Sequence, residues 1–385
     1  MITRALEPIL SQTKKSVLLL GPRQTGKSTL LTALRPDLSI DLAHEPTYLE
    51  FARNPRELED RLAAHPAMGR SIVVLLDEVQ RLPSLLNTVQ SLLDRRTRAH
   101  RFLLSGSSAR KLRRGGANLL PGRIHAYSLG PLVSAELGYD LDDRVALSTG
   151  TLPGIWTDPN ANERRKTLRS YAATYLKEEI QAEALSRSIE GFARYLTIVA
   201  EWNGRFLDHA KIATAAQVAR ASAVRWFEVL EDTLIVQRVD AFAKSVTRRL
   251  VQHPKLYFFD VGVLNGLLGS FDVSADRVGA LFEHLIHGQL VHSAAARDEE
   301  IRVSTFRTEH GAEVDFVVEW RGTLWAIEVK ASERVDRFDL RGLQRFADYV
   351  GRKHRPLVLY RGRVRRCIDG VDVLPWQEGL REMGF

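Results

Sequence analysis

The sequence predicts an α/β protein with a parallel-sheet domain first, a helical and winged-helix middle, and a second α/β domain at the end. Three observations support this prediction. Short apolar runs alternate with helical patterns up to about residue 135, helical periodicity dominates to about residue 239, and two apolar strands with acidic residues lie close together in the last third. We therefore divide the 385 residues into segments 1–135, 136–190, 191–255 and 256–385.

Apolar runs mark the strands of the first segment. They cover residues 17–20, 38–42, 72–76 and 101–105, and a weaker run covers 123–127. A helix is expected over residues 83–96, between the third and fourth runs. Continuous apolar strands that alternate with helices are typical of a parallel sheet covered on both faces.

The chain after the first strand matches the phosphate-loop pattern G-x-x-x-x-G-K-[ST] from Gly21 to Ser28. In such a loop the glycines let backbone N–H groups close around phosphate oxygens, and the helix N-terminus adds partial positive charge. Lys27 is expected to reach the β- and γ-phosphates, and the Ser28 hydroxyl to bind magnesium. The sequence therefore predicts ATP and Mg²⁺ as cofactors, with nucleotide-binding residues Gly21, Pro22, Arg23, Gln24, Thr25, Gly26, Lys27, Ser28 and Thr29.

The third strand ends in two acids, Asp77 and Glu78, about 50 residues after the loop. An aspartate at this position can hold magnesium, and a neighbouring glutamate can polarise the water that attacks the γ-phosphate. Asp77 is therefore a predicted metal ligand together with Ser28. Glu78 and Lys27 are predicted catalytic residues.

Two further polar positions of this segment have alternative interpretations. Ser105 or Ser107, after the fourth strand, could sense the γ-phosphate or form an ordinary serine turn, and we include Ser107 in the nucleotide site. Arg123 is interpreted either as an arginine finger or as a structural surface arginine.

Composition and charge limit the kinds of partner that the chain is expected to bind and the compartment in which it is expected to work. A formal net charge of +8 favours an anionic partner, with nucleic acid first among such partners, although a generally basic surface is the alternative. Cys367 is the single cysteine, which excludes an internal disulfide and a multi-cysteine metal site. No apolar stretch reaches the roughly 20 residues that cross a bilayer. We expect a cytoplasmic protein without a membrane partner.

The middle of the chain is predicted to be helical. Residues 136–190 are expected to form a lid or connector, and residues 191–255 a winged helix-turn-helix with helices over 192–202, 209–214 and from an N-cap at Ser222. Arg225 on the third helix and a wing that carries Arg248, Arg249 and Lys255 are candidate phosphate contacts. Winged helices also pair proteins, so this module has a second interpretation. Trp226 and Phe227 are expected in its core.

The last segment contains an acidic hairpin. Residues 313–319 and 324–330 are expected to pair as strands, with Glu328 and Lys330 on one face and Asp315 on the neighbouring strand. A preceding helix carries Glu283. Carboxylates in this order could hold magnesium against a scissile phosphate while the lysine positions water. The predicted catalytic residues are Glu283, Asp315, Glu328 and Lys330, and the predicted metal ligands are Asp315 and Glu328. The alternative is a solvated polar face.

These motifs together resemble a group of prokaryotic AAA-type ATPases that end in a domain of unknown function similar to PD-(D/E)XK nucleases. The resemblance implies an ATPase core, a helical and winged-helix middle, and a restriction-endonuclease-like end. Position 79 is valine where isoleucine is common. The matching segments lie at residues 21–28, 77–80, 105–108, 121–123, 254–262, 282–283, 313–315 and 327–330.

Our leading hypothesis is an ATPase that hydrolyses ATP to act on DNA and carries a candidate metal-dependent nuclease site. The alternative is an ATP-gated regulatory or protein-binding module whose nuclease-like domain is an inactive scaffold. A small-molecule kinase is a third and weaker hypothesis. The oligomeric state is open: relatives by fold often form rings, so a homo-oligomer is one candidate, and the protein partners are unknown.

Overall fold

The computed structural model describes residues 2–65, 71–95, 100–107, 122–183, 189–242, 253–308 and 311–385. The first segment contains a parallel sheet in the order β2-β3-β4-β1-β5. The predicted parallel α/β sheet is thus confirmed. Its strands are β1 (Ser16–Leu20), β2 (Leu38–Asp41), β3 (Ile72–Asp77), β4 (His100–Gly106) and β5 (Ile124–Ser128).

Both faces of this sheet are covered by apolar side chains. Along β1, Leu18 packs into one core, whereas Val17 and Leu19 pack into the core on the opposite face. This alternation explains why the strand is apolar throughout, since its side chains point to two buried faces in turn. The surrounding helices are α1 (Glu7–Gln12), α2 (Lys27–Ala33), α3 (Glu45–Arg53), α4 (Glu57–Ala64) and α5 (Leu85–Asp94).

The middle region is helical. A two-stranded antiparallel sheet follows three of its helices. Its elements are α6 (Asp143–Thr149), α7 (Pro153–Trp156), α8 (Ala161–Glu183), α9 (Ile189–Glu201), α10 (His209–Ala215), α11 (Arg220–Asp232), β6 (Val236–Val239), β7 (Lys255–Phe258) and α12 (Val261–Leu268).

The structure corrects one detail of the expected three-helix module. Helix α11 begins at Arg220 after an extended Ala219, so Ser222 lies inside the first turn and is not the N-cap. The amide of Ser222 donates to the Ala219 carbonyl, which fixes this start. Trp226 and Phe227 are buried as expected. Arg248 and Arg249 of the expected wing lie outside the described residues.

Two of the expected segment boundaries cut through structural elements. The boundary at 190/191 falls inside α9, and the boundary at 255/256 falls inside β7. Helix α12 also belongs to the middle region, because the side-chain amide of Asn265 donates to the carbonyls of Leu147 and Ser148 at 2.9 and 2.8 Å. The middle region therefore continues to the start of the next helix.

The C-terminal region is built on a mixed sheet in the order β12-β13-β11-β10-β9-β8. The predicted hairpin is present, since β9 and β10 pair antiparallel across the two-residue turn Arg321-Gly322. The elements are α13 (Val278–Ala295), β8 (Arg302–Arg307), β9 (Glu313–Trp320), β10 (Thr323–Lys330), α14 (Arg341–Val350), β11 (Arg355–Tyr360), β12 (Arg366–Ile368), β13 (Val371–Pro375) and α15 (Trp376–Met383).

The middle and C-terminal regions share one apolar core and a backbone connection. Side chains of the middle helices and of α13 and β9 to β11 belong to a single buried cluster. The chain after β6 also joins the edge of the C-terminal sheet, where Phe242 donates its amide to the Thr305 carbonyl at 2.6 Å. Among the residues that the structure describes, no helix has both the length and the apolar composition needed to cross a bilayer.

We expect Gly262→Ala to destabilise the protein by about 1–3 kcal/mol, because overpacking forces neighbouring atoms to move. A Cβ at this position in α12 would lie 2.1 Å from the Thr149 carbonyl oxygen. Urea unfolding measures the change. The matched control is Gly279→Ala on the exposed side of α13, where an added Cβ meets nothing within 4 Å. The control should change the stability by less than about 0.5 kcal/mol, because exposed positions away from special contacts tolerate substitution. Equal effects of the two variants would contradict the tight α6–α12 contact.

Candidate functional site

The phosphate-loop pattern lies where β1 meets α2. At Gly21 an added Cβ would lie 2.2 Å from the Leu129 carbonyl oxygen, so only glycine allows this close approach. Gly26 is the N-cap of α2 and adopts a left-handed φ of 88°. Because this N-cap has no side chain, it leaves the first-turn N–H groups of α2 to other acceptors, such as phosphate oxygens.

Lys27 lies at the centre of the loop. It is 5% exposed, and its ammonium group donates to the carbonyls of Gly21 and Pro22 at 2.9 and 2.8 Å. Burial lowers the pKa of Lys27, while the nearby charges of Glu78 and Asp77 act in the opposite direction. The lysine and the two acids predicted from the sequence are therefore close in the folded chain. Ser28 is exposed at the second position of α2.

A serine on β4 organises the acidic pair. The Ser105 hydroxyl donates to Asp77 Oδ1, and Ser105 Oγ accepts the Glu78 amide at 3.1 Å. Glu78 itself has a left-handed φ of 57°, a conformation that is costly for a residue with a side chain. Because the Ser105 side chain is already bonded to Asp77 and Glu78, Ser107, one residue beyond β4, is the better candidate for a contact with the nucleotide.

Gln80 is a residue of this site that the sequence interpretation did not assign. Its Nε2 group donates to the Glu78 carboxylate and, at 3.1 Å, to Ser107 Oγ. Gln80 is 7% exposed, so the bonds are shielded from solvent. It therefore links the expected catalytic acid to the expected γ-phosphate sensor. The available signal was its place in the segment 77–80, which carries part of the family resemblance.

Arg123 does not lie at this site. It precedes β5, which starts opposite Ser16 at the amino end of β1, whereas the loop follows the carboxyl end of β1. The two ends of a five-residue strand are about 13 Å apart. Arg123 instead pairs with Asp94 at 2.6 Å. An arginine finger that acts on the loop of its own chain is therefore wrong, and the surface-arginine interpretation fits the structure.

Arg4 is a second unpredicted residue next to the loop. Its guanidinium donates to the Thr25 carbonyl at 2.7 Å, to the Gly130 carbonyl at 2.8 Å and to Glu136 at 2.9 Å. The side chains of Arg4 and Glu136 are only 8% and 1% exposed. Arg4 thus ties the phosphate loop to the chain segment that leads into the middle region.

The same linking segment contacts the C-terminal region. Gln289 of α13 accepts the Ser134 amide at 2.6 Å, and the His292 ring packs directly on Gly130. Burial lowers the pKa of His292 to about 4, so this imidazole is neutral near pH 7. Helix α13 is therefore anchored close to the surroundings of the nucleotide loop.

A second charged site lies in the C-terminal region. The four predicted residues come together there, with Glu283 on α13, Asp315 on β9, and Glu328 and Lys330 on β10. Lys330 Nζ lies 2.9 Å from Glu328 Oε1, and Asp315 accepts the Val329 amide at 2.8 Å. Burial raises the pKa of Glu328 to about 7 even though Lys330 opposes this shift. Burial and the charges of Glu328 and Glu283 also raise the pKa of Asp315.

Lys255 also lies at this site, contrary to the expectation that it contacts phosphates from a wing. It is 4% exposed, and its Nζ lies 3.0 Å from Glu283 Oε1 and 2.8 Å from Glu313 Oε1. Glu313 was likewise absent from the predicted set. We call Glu283, Glu313, Asp315 and Glu328 the acid cluster.

The two sites differ in how well they suit a metal ion. No group of three His, Cys, Asp or Glu side chains within the described ranges is arranged to hold a metal. Ser28 and Asp77 fit magnesium nonetheless, because proteins bind this ion through one or two carboxylates plus the phosphates of the nucleotide. At the acid cluster, Lys255 pairs with Glu283 and Glu313 and Lys330 pairs with Glu328, whereas the buried Glu328 Oε2 has no hydrogen-bond partner. Asp315 and Glu328 therefore stay predicted metal ligands.

Comparison with protein families divides the chain into three parts. Residues 13–138 match the AAA domain, residues 142–274 a domain of unknown function (DUF8612), and residues 278–378 a domain of unknown function (DUF4143). An AAA domain followed by a C-terminal domain of unknown function is thus supported, and the AAA match supports an ATPase. The nuclease-like and winged-helix assignments stay predictions.

Related chains add no established activity. Uncharacterized proteins of Mycobacterium bovis and Mycobacterium tuberculosis are each 29% identical over 324 residues, which cover 82% of this chain and 70% of theirs. A signal-transduction ATPase with a tetratricopeptide repeat sensor from Pyrococcus horikoshii is 10% identical with a TM-score of 0.27, covering 75% of this chain and 46% of its own. A DNA polymerase III gamma subunit-related protein from Thermotoga maritima is 13% identical with a TM-score of 0.28, covering 59% and 97%. TM-scores this low carry no conclusion about fold or function.

We expect Arg4→Met to lower the free energy of unfolding by about 3–5 kcal/mol, because it leaves the buried Glu136 carboxylate without its cation. Urea unfolding measures the loss. The matched control is Arg123→Met, which breaks the pair with Asp94, whose side chain is 49% exposed. Because exposed ion pairs contribute little, the control should unfold almost like the parent. Equal losses in both variants would show that the Arg4 network does not stabilise the fold.

Proposed function

We propose that the protein binds ATP with Mg²⁺ and hydrolyses it at the loop between β1 and α2. The observation that carries this proposal is the convergence of the buried Lys27 with Asp77 and Glu78, whose charges act on the lysine. The match of residues 13–138 to the AAA domain supports the same activity. This set has the elements of phosphoryl transfer, namely a phosphate-binding lysine, a magnesium carboxylate and a water-positioning acid.

Each residue has a distinct role in the proposed reaction. Lys27 binds the β- and γ-phosphates, and Ser28 and Asp77 hold the metal. Bound magnesium supplies positive charge against the phosphate oxygens. Glu78 orients the attacking water, and Gln80 positions Glu78 through the bond to its carboxylate. Because Gln80 also bonds Ser107, the acid and the γ-phosphate sensor are placed by one amide group.

We further propose that the ATPase cycle acts on DNA. The net charge of +8 supports an anionic partner. Helices α9 to α11 followed by the β6–β7 pair have the element order expected for a winged helix, with Arg225 exposed on the third helix. Trp226 and Phe227 are buried, so contact with DNA would be through charge and not through stacking on these rings.

The second candidate function is an ATP-gated regulatory or protein-binding module with an inactive nuclease-like scaffold. One observation favours this version of the C-terminal region over a nuclease. Lys255 pairs with Glu283 and Glu313 inside the acid cluster, where a metal-dependent nuclease needs its divalent ion. The two candidate functions share the ATPase and differ in their dependence on DNA.

We expect Glu78→Gln to retain ATP affinity and to lose at least about 100-fold in turnover, since a neutral amide orients and polarises water poorly. Steady-state ATP hydrolysis and equilibrium binding of a fluorescent ATP analogue measure the two effects. The matched control is Glu163→Gln, which removes the same charge from the surface of α8, where the side chain is 50% exposed. Unchanged turnover in Glu78→Gln would reject Glu78 as the water-orienting group, and absence of ATP binding by the parent protein would reject the whole site.

We expect DNA affinity to fall steeply with salt, with a slope of about −0.9 in log K against log salt for each neutralised phosphate. Fluorescence anisotropy with labelled duplex and single-stranded DNA measures it. Arg225→Ala should reduce the slope by about 1 unit if Arg225 contacts a phosphate, whereas Arg53→Ala on α3 is the control and should leave the slope unchanged. Salt-independent or undetectable DNA binding, with ATP hydrolysis intact, would favour the regulatory module.

A further inference from the structure

The acid cluster contains an ammonium group of the protein itself. The side chain of Lys255 is 6% exposed, and its Nζ lies within ion-pair distance of both Glu283 and Glu313. The charge of Lys255 also acts on the buried Asp315. Burying a lysine is costly unless its charge is paired, and here two carboxylates pair it.

One carboxylate oxygen of the cluster is already bonded twice. Glu283 Oε1 accepts from the Lys255 ammonium group and from the Tyr257 hydroxyl. On the other side of the cluster, Lys330 lies 2.9 Å from Glu328 and 3.4 Å from Asp339. Each of the two ammonium groups repels a divalent ion and so opposes the attraction that the carboxylates exert on it.

The backbone holds Lys255 in this position. Lys255 is the first residue of β7, where it pairs with Val239 of β6 and forms a further bridge with Phe206. The ring of Phe206 lies 5.6 Å from the ammonium nitrogen, which adds a cation–π contact. The lysine thus comes from the middle region, whereas its carboxylate partners come from α13 and β9 of the C-terminal region.

We propose that Lys255 is the permanent cation of the acid cluster, that it stands in place of a divalent metal ion, and that its ion pairs fasten β7 to α13 and β9. The C-terminal region then needs no metal for its fold and holds no catalytic ion. This inference is independent of the proposed ATPase, because no residue of the phosphate loop takes part in it.

The test uses the full-length, nucleotide-free protein and Mn²⁺ as a paramagnetic probe. Electron paramagnetic resonance measures bound Mn²⁺ in the parent, in Asp315→Asn, in Lys255→Met, and in the double variant Lys255→Met with Asp315→Asn. The conservative control is Lys255→Arg, which keeps the positive charge. Thermal unfolding of each protein with EDTA and with Mn²⁺ provides a second readout.

We expect the parent and Asp315→Asn to bind Mn²⁺ equally, because the cluster of the parent takes no ion. Lys255→Met should gain one Mn²⁺ site, at least about tenfold tighter than any binding that the parent shows elsewhere, since repulsion by the lysine is gone. The double variant should lose this gained site, and Lys255→Arg should behave like the parent. EDTA and Mn²⁺ should not shift the unfolding temperature of the parent.

Two outcomes would overturn the proposal. The first is Mn²⁺ binding by the parent that disappears in Asp315→Asn, since the cluster would then hold a metal beside its lysine. The second is a folded Lys255→Met protein without additional Mn²⁺ binding, since the lysine would then not be what excludes the ion. If Lys255→Met does not fold, the comparison of the parent with Asp315→Asn still decides the question.

Discussion

The parallel register of β1, β3 and β4 is the constraint on which the candidate nucleotide site depends. Because Leu20 lies opposite Gly106 and Leu76 opposite Leu104, three strands end at the same edge of the sheet. The loop, the acidic pair and the serines that follow these strands meet there as a consequence of strand pairing. Apolar cores on both faces of the sheet maintain that pairing. The positions of the site residues at the edge of the sheet therefore depend on side chains packed several residues away.

Two buried basic side chains connect different regions of the chain. Arg4 joins the phosphate loop to the segment that leads into the middle region, and Lys255 joins the middle region to the C-terminal acids. In both cases a cation from one region meets carboxylates or carbonyls from another. Buried charges of this kind tolerate few alternative arrangements, because any shift leaves a charge unpaired in a poorly solvated place. Arg4 thus links the first region to the start of the middle region by charge, and Lys255 links the middle and C-terminal regions, which also share one apolar core.

Local patterns predicted local structure well. The apolar runs, the phosphate loop, the acidic strand end and the hairpin of β9 and β10 each depend on a few neighbouring residues, and the structure contains all of them. What the sequence did not reveal depends on distant pairing. Lys255 was predicted to lie in a wing, but the structure pairs it with Glu283 and Glu313. The helix that contains Asn265 was predicted to belong to the C-terminal segment, but the Asn265 side chain bonds the end of α6. Arg123 was ambiguous until strand direction placed it at the far edge.

Helix α13 has a consequence for how the two charged sites can influence each other. Its residues Gln289 and His292 contact the segment beside the nucleotide loop, while Glu283, about 9 and 13 Å from them along the same helix, belongs to the acid cluster. A hydrogen-bonded helix of 18 residues tends to move as one rigid body. A displacement of this helix at the loop side would therefore also displace Glu283 and the ion pair it forms with Lys255.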